Sequence, residues 1–332
     1  MVCNSSVAIL LATYNGEKFI DEQLESLERQ TYSDFTIFVR DDGSTDRTLD
    51  IVKERAKKSP DKYQIMEATP LHDPKKCFMW MLKNVEAKYY MFCDQDDVWM
   101  TDKTKILMDV INNLQLSAMP DGVTSKKIAE AAFEPNPICV FSDMYVVDEN
   151  RGAIASSFIE YIGRDINLTD FSQVIIDNPA SGNAMLFNKA LRDIAISISD
   201  EDLARVEMHD AWVAAIASCF GGLVGVDEPL VYYRQTGQNT LGAITESKIQ
   251  KVVRNLKEVK DGTLVNDKKQ FLARSKKLAR ILISIDDIPT GVKDVLAGYL
   301  QMHTWNKAKR LAFCQKYGFK RANGDAWMKL FI

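Results

Sequence analysis

The fold expected of this chain is decided by residues 89–97, which read Tyr-Tyr-Met-Phe-Cys-Asp-Gln-Asp-Asp. The first five are apolar and rich in aromatic side chains, a pattern that favours a buried strand. The four that follow are polar, and three of them are aspartates. A buried strand that ends in a polar cluster is typical of open α/β sheets, in which ligands bind beyond the carboxyl ends of the strands.

Two earlier segments repeat this arrangement. Residues 7–12 (Val-Ala-Ile-Leu-Leu-Ala) are followed by 13–16 (Thr-Tyr-Asn-Gly), and 35–40 (Phe-Thr-Ile-Phe-Val-Arg) by 41–46 (Asp-Asp-Gly-Ser-Thr-Asp). A weaker strand is predicted at 63–66, and amphipathic helical patterns separate the strands. The alternation predicts an α/β fold with βαβ units around a mostly parallel sheet. Three polar clusters would then converge at one edge of that sheet.

Beyond the fourth strand the pattern is interrupted and then resumes. Residues 117–137 show no sustained period and contain several Pro and Gly residues, which predicts an exposed insertion or connector. The later elements expected are strands at 138–141, 184–187 and 229–233 and a helix at 210–220. From Glu246 onward the pattern is helical and rich in lysine.

The composition excludes several classes of protein. Apolar residues make up 46% and charged residues 27% of the chain, which is the balance of a soluble globular protein and not of a disordered, fibrous or membrane-spanning one. The N-terminus lacks a positive charge, and its apolar run is too short for a secretory signal, so we expect a cytoplasmic location. The six cysteines form no CxxC pair and are expected to be reduced, and the three histidines lack the spacing of a zinc site.

The net charge of −4 conceals an asymmetry along the chain. From Glu246 onward there are 19 Lys and Arg against 8 Asp and Glu, a net charge of +11, which leaves −15 for the preceding part. We therefore expect residues 1–242 to form the main domain and 243–332 a basic helical extension. This extension has an apolar face at 249–256 and an apolar tail at 327–332. Such features predict either self-association as a homo-oligomer or contact with the cytoplasmic face of a membrane. A solvated helix face is the third alternative.

Five motifs together resemble the family 2 glycosyltransferases with the GT-A fold, a Rossmann-like sheet with flanking helices. They are residues 12–15, 39–46, 92–99 (Phe-Cys-Asp-Gln-Asp-Asp-Val-Trp), 208–212 (Met-His-Asp-Ala-Trp) and 233–235 (Tyr-Arg-Gln) followed by Asn239 and Thr240. The last three are similar to bacterial rhamnosyl- and hexosyltransferases of surface-glycan pathways. The resemblance covers roughly residues 5–242. It implies an inverting enzyme that uses Mn²⁺ or Mg²⁺ and transfers a hexose or deoxyhexose from a UDP- or dTDP-sugar to a glycan, glycoprotein or lipid-linked acceptor.

The aspartates after the fourth strand suit the donor's diphosphate. Hard divalent cations bind carboxylates and bridge phosphate oxygens, and a dication relieves the repulsion among three neighbouring carboxylates. By resemblance, Asp96 is the direct metal ligand and Asp94 lies near the ribose or the metal. Gln95 belongs to the same nucleotide-sugar site, and the role of Asp97 stays open. The alternative is an acidic turn before a helix capped by Thr101 or Asp102.

The nucleoside pocket is assigned to the first two polar clusters. The resemblance implies that the carboxylate of Asp41 or Asp42 accepts a hydrogen bond from a pyrimidine N–H, with Thr13 and Asn15 lining the same pocket. The sequence does not choose between the two aspartates. An ordinary turn and helix start would use the same residue types.

The acceptor side is assigned to the motif at 208–212. An inverting transfer needs a base that takes the proton of the attacking hydroxyl, and resemblance places Asp210 there. His209 is expected either to orient Asp210, to touch the acceptor or to be solvent-exposed. The remaining acceptor or sugar contacts expected are Trp212, by stacking, and the loop residues Ser181, Gly182 and Asn183. The simpler alternatives are a helix cap, a buried tryptophan and a strand-entry turn.

One position departs from the family pattern. Relatives often carry a histidine where this chain has Thr236, and that histidine completes the metal or diphosphate shell. We therefore expect Arg234 to hold the diphosphate instead.

Two other functions remain open from the sequence. Residues 94–98 also look like the motif of haloacid-dehalogenase-type phosphatases, with Asp94 as nucleophile and Asp96 as acid/base. A non-catalytic nucleotide-sugar-binding scaffold is the second alternative. No nucleic-acid partner is expected.

Overall fold

A computed structural model describes residues 1–117, 136–236 and 263–320 of the chain. Its strands are β1 (Val7–Thr13), β2 (Phe35–Asp41), β3 (Tyr63–Ile65), β4 (Tyr89–Cys93), β5 (Val98–Trp99), β6 (Cys139–Val147), β7 (Ala153–Ala155), β8 (Met185–Asn188) and β9 (Leu223–Arg234). Its helices are α1 (Ile20–Glu28), α2 (Thr48–Lys58), α3 (Pro74–Asn84), α4 (Lys103–Ser117), α5 (Phe158–Tyr161), α6 (Phe171–Val174), α7 (Lys189–Ile196), α8 (Asp200–Arg205), α9 (His209–Cys219), α10 (Thr263–Ser284), α11 (Thr290–Gln301) and α12 (Lys307–Tyr317). Two 3₁₀ turns lie at Gly182–Ala184 and Met302–Thr304.

Within these ranges the strands form one nine-stranded sheet in the order β3-β2-β1-β4-β8-β6-β9-β5, with β7 paired to β6. The first four strands of that order are parallel. β8 is antiparallel to both β4 and β6, β9 is parallel to β6, and β5 is antiparallel to β9. The α/β fold is confirmed, and the sheet is mixed instead of mostly parallel, because an apolar run in a sequence does not reveal the direction in which its strand enters the sheet.

The core lies on both faces of the parallel half. Val7 through Leu11 of β1 have no exposed surface, and Met91 and Cys93 of β4 are equally buried. A parallel strand covered by helices on both faces is apolar along its whole length, which explains why these two were recognisable as continuous runs. The rigid sheet places the carboxyl ends of β1, β2 and β4 side by side.

The strands of the other half are longer than the sequence suggests. β6 extends past the expected 138–141 to Val147, and β9 extends past the expected 229–233 in both directions. Both contain polar residues, and their pairing shifts register near Asp143, opposite Pro229. Such a bulge interrupts the apolar alternation on which a strand prediction depends.

Helices α10, α11 and α12 confirm the helical pattern of the C-terminal part over residues 263–320. α10 packs on α11, where the hydroxyls of Ser275 and Tyr299 hydrogen-bond at 2.6 Å, and Arg274 pairs with Glu207 at 3.0 Å. The expected connector up to residue 135, Asn239 and Thr240, the boundary at 242/243, the apolar face at 249–256 and the tail at 327–332 lie outside the described residues. In the described part of the chain, no helix has the length and apolar character to cross a membrane.

Candidate active site

The first two polar clusters interlock at the edge of the sheet. Asp41, the last residue of β2, accepts hydrogen bonds from the hydroxyls of Thr13 (2.9 Å) and Ser44 (2.6 Å) and from the backbone N–H groups of Gly43 and Ser44. Asn15 adopts a left-handed conformation (φ 46°), and its Oδ1 accepts from the backbone N–H of Thr45 at 2.9 Å. The turn after β1 is therefore fixed onto the turn after β2.

Asp42 is buried deeper than its neighbour and has different partners. Its Oδ1 accepts from Arg40 Nη1 at 2.8 Å and from the backbone N–H of Leu71 at 2.6 Å. Although burial opposes ionisation, the hydrogen bonds from Leu71 and Arg40 lower the pKa of Asp42. An ionised carboxylate thus lies directly after β2, where the nucleoside pocket is predicted.

Gln95 connects this pocket to the acidic loop, which we define as Asp94–Asp97. Its amide group accepts from the Tyr14 N–H and donates to the Tyr14 carbonyl, both at 2.8 Å. A Cβ atom on Gly16 would lie 2.3 Å from Gln95 Oε1, so a larger residue there would displace the Gln95 side chain. Gln95 therefore fixes the turn after β1 onto the acidic loop, and its contact with the donor stays a prediction.

The acidic loop follows β4 and is largely shielded from solvent. Burial, reinforced by the charges of Asp96 and Asp210, raises the pKa of Asp94 to about 7. Burial also raises the pKa of Asp96. The charges of Asp96 and Asp210 both act on Asp94, so these three carboxylates lie near one another.

The donor chemistry of this loop fits a divalent cation that is shared with a ligand. No group of three His, Cys, Asp or Glu side chains within the described ranges has the arrangement of a protein-only metal site. Mg²⁺ commonly binds one or two carboxylates and completes its shell with water and substrate phosphates. The half-buried carboxylates of Asp94 and Asp96, two residues apart after β4, match that partial set.

Asp97 serves to hold the loop in place. Its Oδ1 accepts from the backbone N–H of Arg234 at 2.9 Å, and its Oδ2 accepts a short hydrogen bond from the side-chain amide of Asn183. Both Asp97 and Asn183 are about 1% exposed. Asn183 therefore supports the acidic loop from within the protein, which corrects the prediction that its side chain touches sugar or acceptor.

Arg234 likewise belongs to the framework. Its Nε donates to the Asp96 carbonyl at 2.7 Å, its Nη1 donates to the Glu149 carbonyl, and its Nη2 pairs with Glu22 at 2.5 Å. The side chain is 3% exposed and lies over the ring of Phe19. The prediction that it holds the diphosphate is corrected, because the guanidinium is already directed at protein acceptors. Thr236, two residues later, is half-buried at the end of the described segment.

Asp210 lies at the N-terminus of α9, where the helix dipole favours a carboxylate. The N-cap position is Met208, so Asp210 is not a simple cap. Its Oδ1 accepts from the Ala211 N–H at 2.6 Å, and its Oδ2 reaches across to the Gly182 N–H at 3.1 Å. A Cβ atom on Gly182 would lie 3.3 Å from Asp210 Cβ, so the absent side chain permits this approach. Ser181, before it, is half-buried.

His209 is buried among aromatic rings. It stacks on Phe78 with a centroid distance of 4.2 Å and meets Phe92 edge-on at 4.6 Å. Burial lowers the pKa of His209 to about 4 despite the opposing charge of Asp210, so the ring is neutral at pH 7. The solvent-exposed alternative is excluded, and the geometry places His209 behind Asp210 and Gly182.

Trp212 and Trp99 do not face a ligand. Trp212 has no exposed surface, and its Nε1–H donates to the Ala195 carbonyl at 3.0 Å. Trp99 is 3% exposed. The prediction that Trp212 contacts sugar or acceptor is corrected, since a buried ring of this size fills the core and satisfies its single donor internally.

Lys103 is a residue of the site that the sequence analysis missed. It begins α4, has no exposed surface, and donates a short hydrogen bond to the Asn183 carbonyl. Its charge interacts with those of Asp97 and Asp94. A signal was available in the sequence: a cation in the first turn of a helix opposes the helix dipole, so a lysine there after an acidic motif suggests a special partner.

A comparison with known proteins explains this arrangement. The sequence profile that defines the family described as "Glycosyl transferase family 2" matches residues 8–194, which is more than half of the chain. The chain belongs to glycosyl transferase family 2. The resemblance stated from the motifs is confirmed, and the protein is a glycosyltransferase. This family 2 glycosyltransferase has Asp94–Asp97 within the matched region, so the motif's similarity to phosphatases no longer supports a phosphatase.

Relatives of this family 2 glycosyltransferase include bacterial sugar transferases. The dTDP-rhamnosyl transferase RfbG of Shigella flexneri is 28% identical over 246 residues, which cover 70% of this chain and 74% of the relative. An uncharacterised glycosyltransferase of Haemophilus influenzae is 25% identical over 247 residues, covering 70% of this chain and 67% of the relative.

The fold of this family 2 glycosyltransferase is also found in a solved structure. The crystal structure of S. aureus TarS residues 1–349 in complex with UDP superposes with a TM-score of 0.52 and 18% sequence identity, over 92% of this chain and 74% of that TarS 1–349 chain. At that identity the likeness concerns the fold alone. It confirms the predicted GT-A type of α/β architecture.

Proposed function

We propose that this glycosyltransferase is an inverting, metal-dependent enzyme that transfers a hexose or deoxyhexose from a UDP- or dTDP-sugar. One observation carries the proposal: the Gly182–Ala184 turn hydrogen-bonds to Asp210 through the Gly182 N–H and to Asp97 through the Asn183 side chain, so the acceptor-side carboxylate lies next to the acidic loop. The charges of Asp96 and Asp210 also raise the pKa of Asp94, which agrees with this proximity.

The donor's nucleoside is proposed to lie between the ends of β1 and β2. Asp41 already accepts four hydrogen bonds, the usual capacity of a carboxylate, whereas Arg40 and Leu71 both donate to a single oxygen of Asp42. We therefore assign the pyrimidine N–H to Asp42. Thr13 and Asn15 shape the pocket through their contacts with the second turn, and the exposed ring of Tyr14 is available for stacking at its mouth.

The donor's diphosphate is proposed to lie over the acidic loop, where Asp94 and Asp96 would hold Mn²⁺ or Mg²⁺. When bound, such an ion neutralises the charge that develops on the leaving diphosphate. Asp97, Asn183 and Arg234 keep the loop rigid from behind, so that the two carboxylates retain one geometry.

Asp210 is proposed to take the proton of the acceptor hydroxyl. As that oxygen forms a bond to the anomeric carbon, the bond from this carbon to the diphosphate oxygen breaks on the opposite face, which inverts the configuration. The proton moves to a carboxylate oxygen of Asp210, and the leaving diphosphate keeps the bonding electrons. The Gly182 N–H fixes the orientation of that carboxylate at 3.1 Å. A single carboxylate on the acceptor side suffices for this route.

A thermal-shift panel tests the donor assignment. We expect UDP- or dTDP-sugars with Mn²⁺ to raise the melting temperature by about 5 °C, since ligand at a hundred times its Kd adds about 2.7 kcal/mol to the free energy of unfolding. The panel contains UDP-glucose, UDP-N-acetylglucosamine and dTDP-rhamnose, each with Mn²⁺ or EDTA, and GDP-mannose as the purine control. Equal shifts with GDP-mannose would contradict the pyrimidine pocket, and no shift with any donor would contradict nucleotide-sugar binding.

We further propose that the acceptor is presented at the cytoplasmic face of a membrane and that the C-terminal helices contact that surface. Lys276 and Arg280 lie four residues apart on α10, and burial together with the charges of Arg280 and Arg310 lowers the pKa of Lys276. In a two-fold dimer with its axis at this surface, the basic cluster of one copy would face and repel the same cluster of the other. An anionic lipid surface would instead stabilise the cluster.

Vesicle flotation tests this association. The protein is expected to float with phosphatidylglycerol vesicles at low salt, to be released by about 0.5 M NaCl because the attraction is screened, and to stay unbound with phosphatidylcholine vesicles. The double variant Lys276→Glu, Arg280→Glu is expected to bind less. Concentration-dependent self-association in sedimentation velocity, without flotation, would instead establish the homo-oligomer as the role of these helices.

A further inference from the structure

Lys103 is a buried lysine that the proposed transfer does not use directly. Its side-chain nitrogen lies 3.1 Å from the centroid of the Trp99 ring, the residue has no exposed surface, and burial lowers the pKa of Lys103 well below its usual value. It also begins a helix, where the dipole disfavours positive charge. Placing an ammonium group in such an environment costs free energy unless its partners compensate, so the partners of Lys103 indicate what it is for.

Those partners converge on one short turn, Gly182–Ala184. Lys103 donates to the carbonyl of Asn183, and the side-chain amide of the same residue donates to Asp97. The preceding residue, Gly182, donates its N–H to Asp210. Gly182 thus contacts the proposed base, and Asn183 contacts the acidic loop. Lys103 binds the carbonyl of Asn183, which follows these two contacts and precedes β8.

We propose that Lys103 is a positioning residue: it locks the Gly182–Ala184 turn and thereby fixes the distance between the acidic loop and Asp210. This inference rests on the proposed function. Without the Lys103 amine, the Asn183 carbonyl loses its hydrogen bond to Nζ, and the turn that links Asp97 to Asp210 loses one of its supports. A misplacement of about 1 Å between reacting groups can reduce the rate by about a hundredfold.

The test compares Lys103→Met with Arg192→Met. Both substitutions remove a buried basic side chain that donates to backbone carbonyls. Arg192 donates to the carbonyls of Leu82 (2.8 Å) and Val85 (3.0 Å), which lie outside the acidic loop. The reaction followed is the release of UDP or dTDP from the donor selected by the thermal-shift panel, with water as acceptor. For Lys103→Met we expect kcat to fall about 30- to 100-fold while the donor KM changes by less than about threefold. For Arg192→Met we expect both to change by less than about threefold.

A second variant and a second measurement keep the inference testable if Lys103→Met folds poorly. Asn183→Ala cuts the link between the turn and Asp97, and is expected to lower kcat in the same way without raising the donor KM. Hydrogen exchange gives a readout that needs no activity: the Gly182 amide is expected to exchange at least about tenfold faster in Lys103→Met than in Arg192→Met, because its hydrogen bond to Asp210 is weakened.

Three results would overturn the inference. They are equal kcat in Lys103→Met and Arg192→Met, a rise of the donor KM in parallel with the fall of kcat, and unchanged exchange of the Gly182 amide. Failure of the wild-type protein to bind any nucleotide-sugar is a different result, since it would overturn the proposed function and leave the exchange experiment to decide whether Lys103 locks the turn.

Discussion

The Asp210→Asn variant is expected to transfer sugar about a hundred to ten thousand times more slowly than the wild-type protein while binding the donor with unchanged affinity. An amide side chain cannot accept the proton of the attacking hydroxyl. It keeps one oxygen that can accept from the Gly182 N–H, as Oδ2 of Asp210 does at 3.1 Å. Release of UDP or dTDP measures the transfer, and calorimetric titration with the donor measures the affinity.

The matched control is Asp200→Asn. Asp200 also lies in the first turn of a helix, but its partner is Lys83 on the protein surface. The control is expected to keep wild-type activity and to lose little stability, because an ion pair at the protein surface contributes little to the free energy of unfolding. Unchanged transfer in Asp210→Asn would remove this residue from the mechanism. Equal losses of transfer and donor affinity would instead place it on the donor side.

The parts of the site that could be predicted from the sequence are those that local chemistry determines. Strands β1 and β4 are buried on both faces, so each is a continuous apolar run, and β2 is buried with Thr36 and Arg40 among its apolar residues. The polar cluster that follows each strand marks its carboxyl end. Since these strands are parallel neighbours, their ends had to meet. The sequence alone therefore locates the acidic loop and the turns after β1 and β2 at one edge of the sheet.

The partners of individual side chains could not be predicted in the same way. Gln95 binds the backbone of Tyr14, and Arg234 binds Glu22, a residue 212 positions away. A polar residue in a motif has the same appearance whether it faces a ligand or the protein interior. The motif around Arg234 predicted proximity to the diphosphate, and the residue does lie beside the acidic loop, but it contacts the loop from the protein side.

The degree of burial explains why the sequence misplaced Trp212 and missed Lys103. Trp212 lies in an alanine-rich helix whose residues 212–217 all have no exposed surface. A surface helix shows an apolar stripe, whereas one that is apolar all round is buried, so the composition of α9 favoured the core for this ring. Lys103 illustrates the opposite case, because a lysine is expected at the surface and only its tertiary partners explain its burial.

The Asp96→Ala variant is expected to lose the metal-dependent part of donor binding. The affinity for the donor in Mn²⁺ should fall at least about tenfold, toward the value measured for the wild-type protein in EDTA, since even outer-shell changes at metal sites cost about 10- to 100-fold in metal affinity. The loop itself should persist, because Arg234 holds residue 96 through its backbone carbonyl, a group that alanine retains.

Calorimetric titration of the donor measures this effect as the ratio of the affinity in Mn²⁺ to the affinity in EDTA. Asp102→Asn is the matched control, because Asp102 is an exposed carboxylate near the loop whose partner is the Thr31 hydroxyl at 2.7 Å. In wild type and control the ratio should be equal and well above one, and in Asp96→Ala it should approach one. A ratio that stays at the wild-type value would show that the cation binds without Asp96. A ratio of one in the wild-type protein would show that donor binding needs no cation.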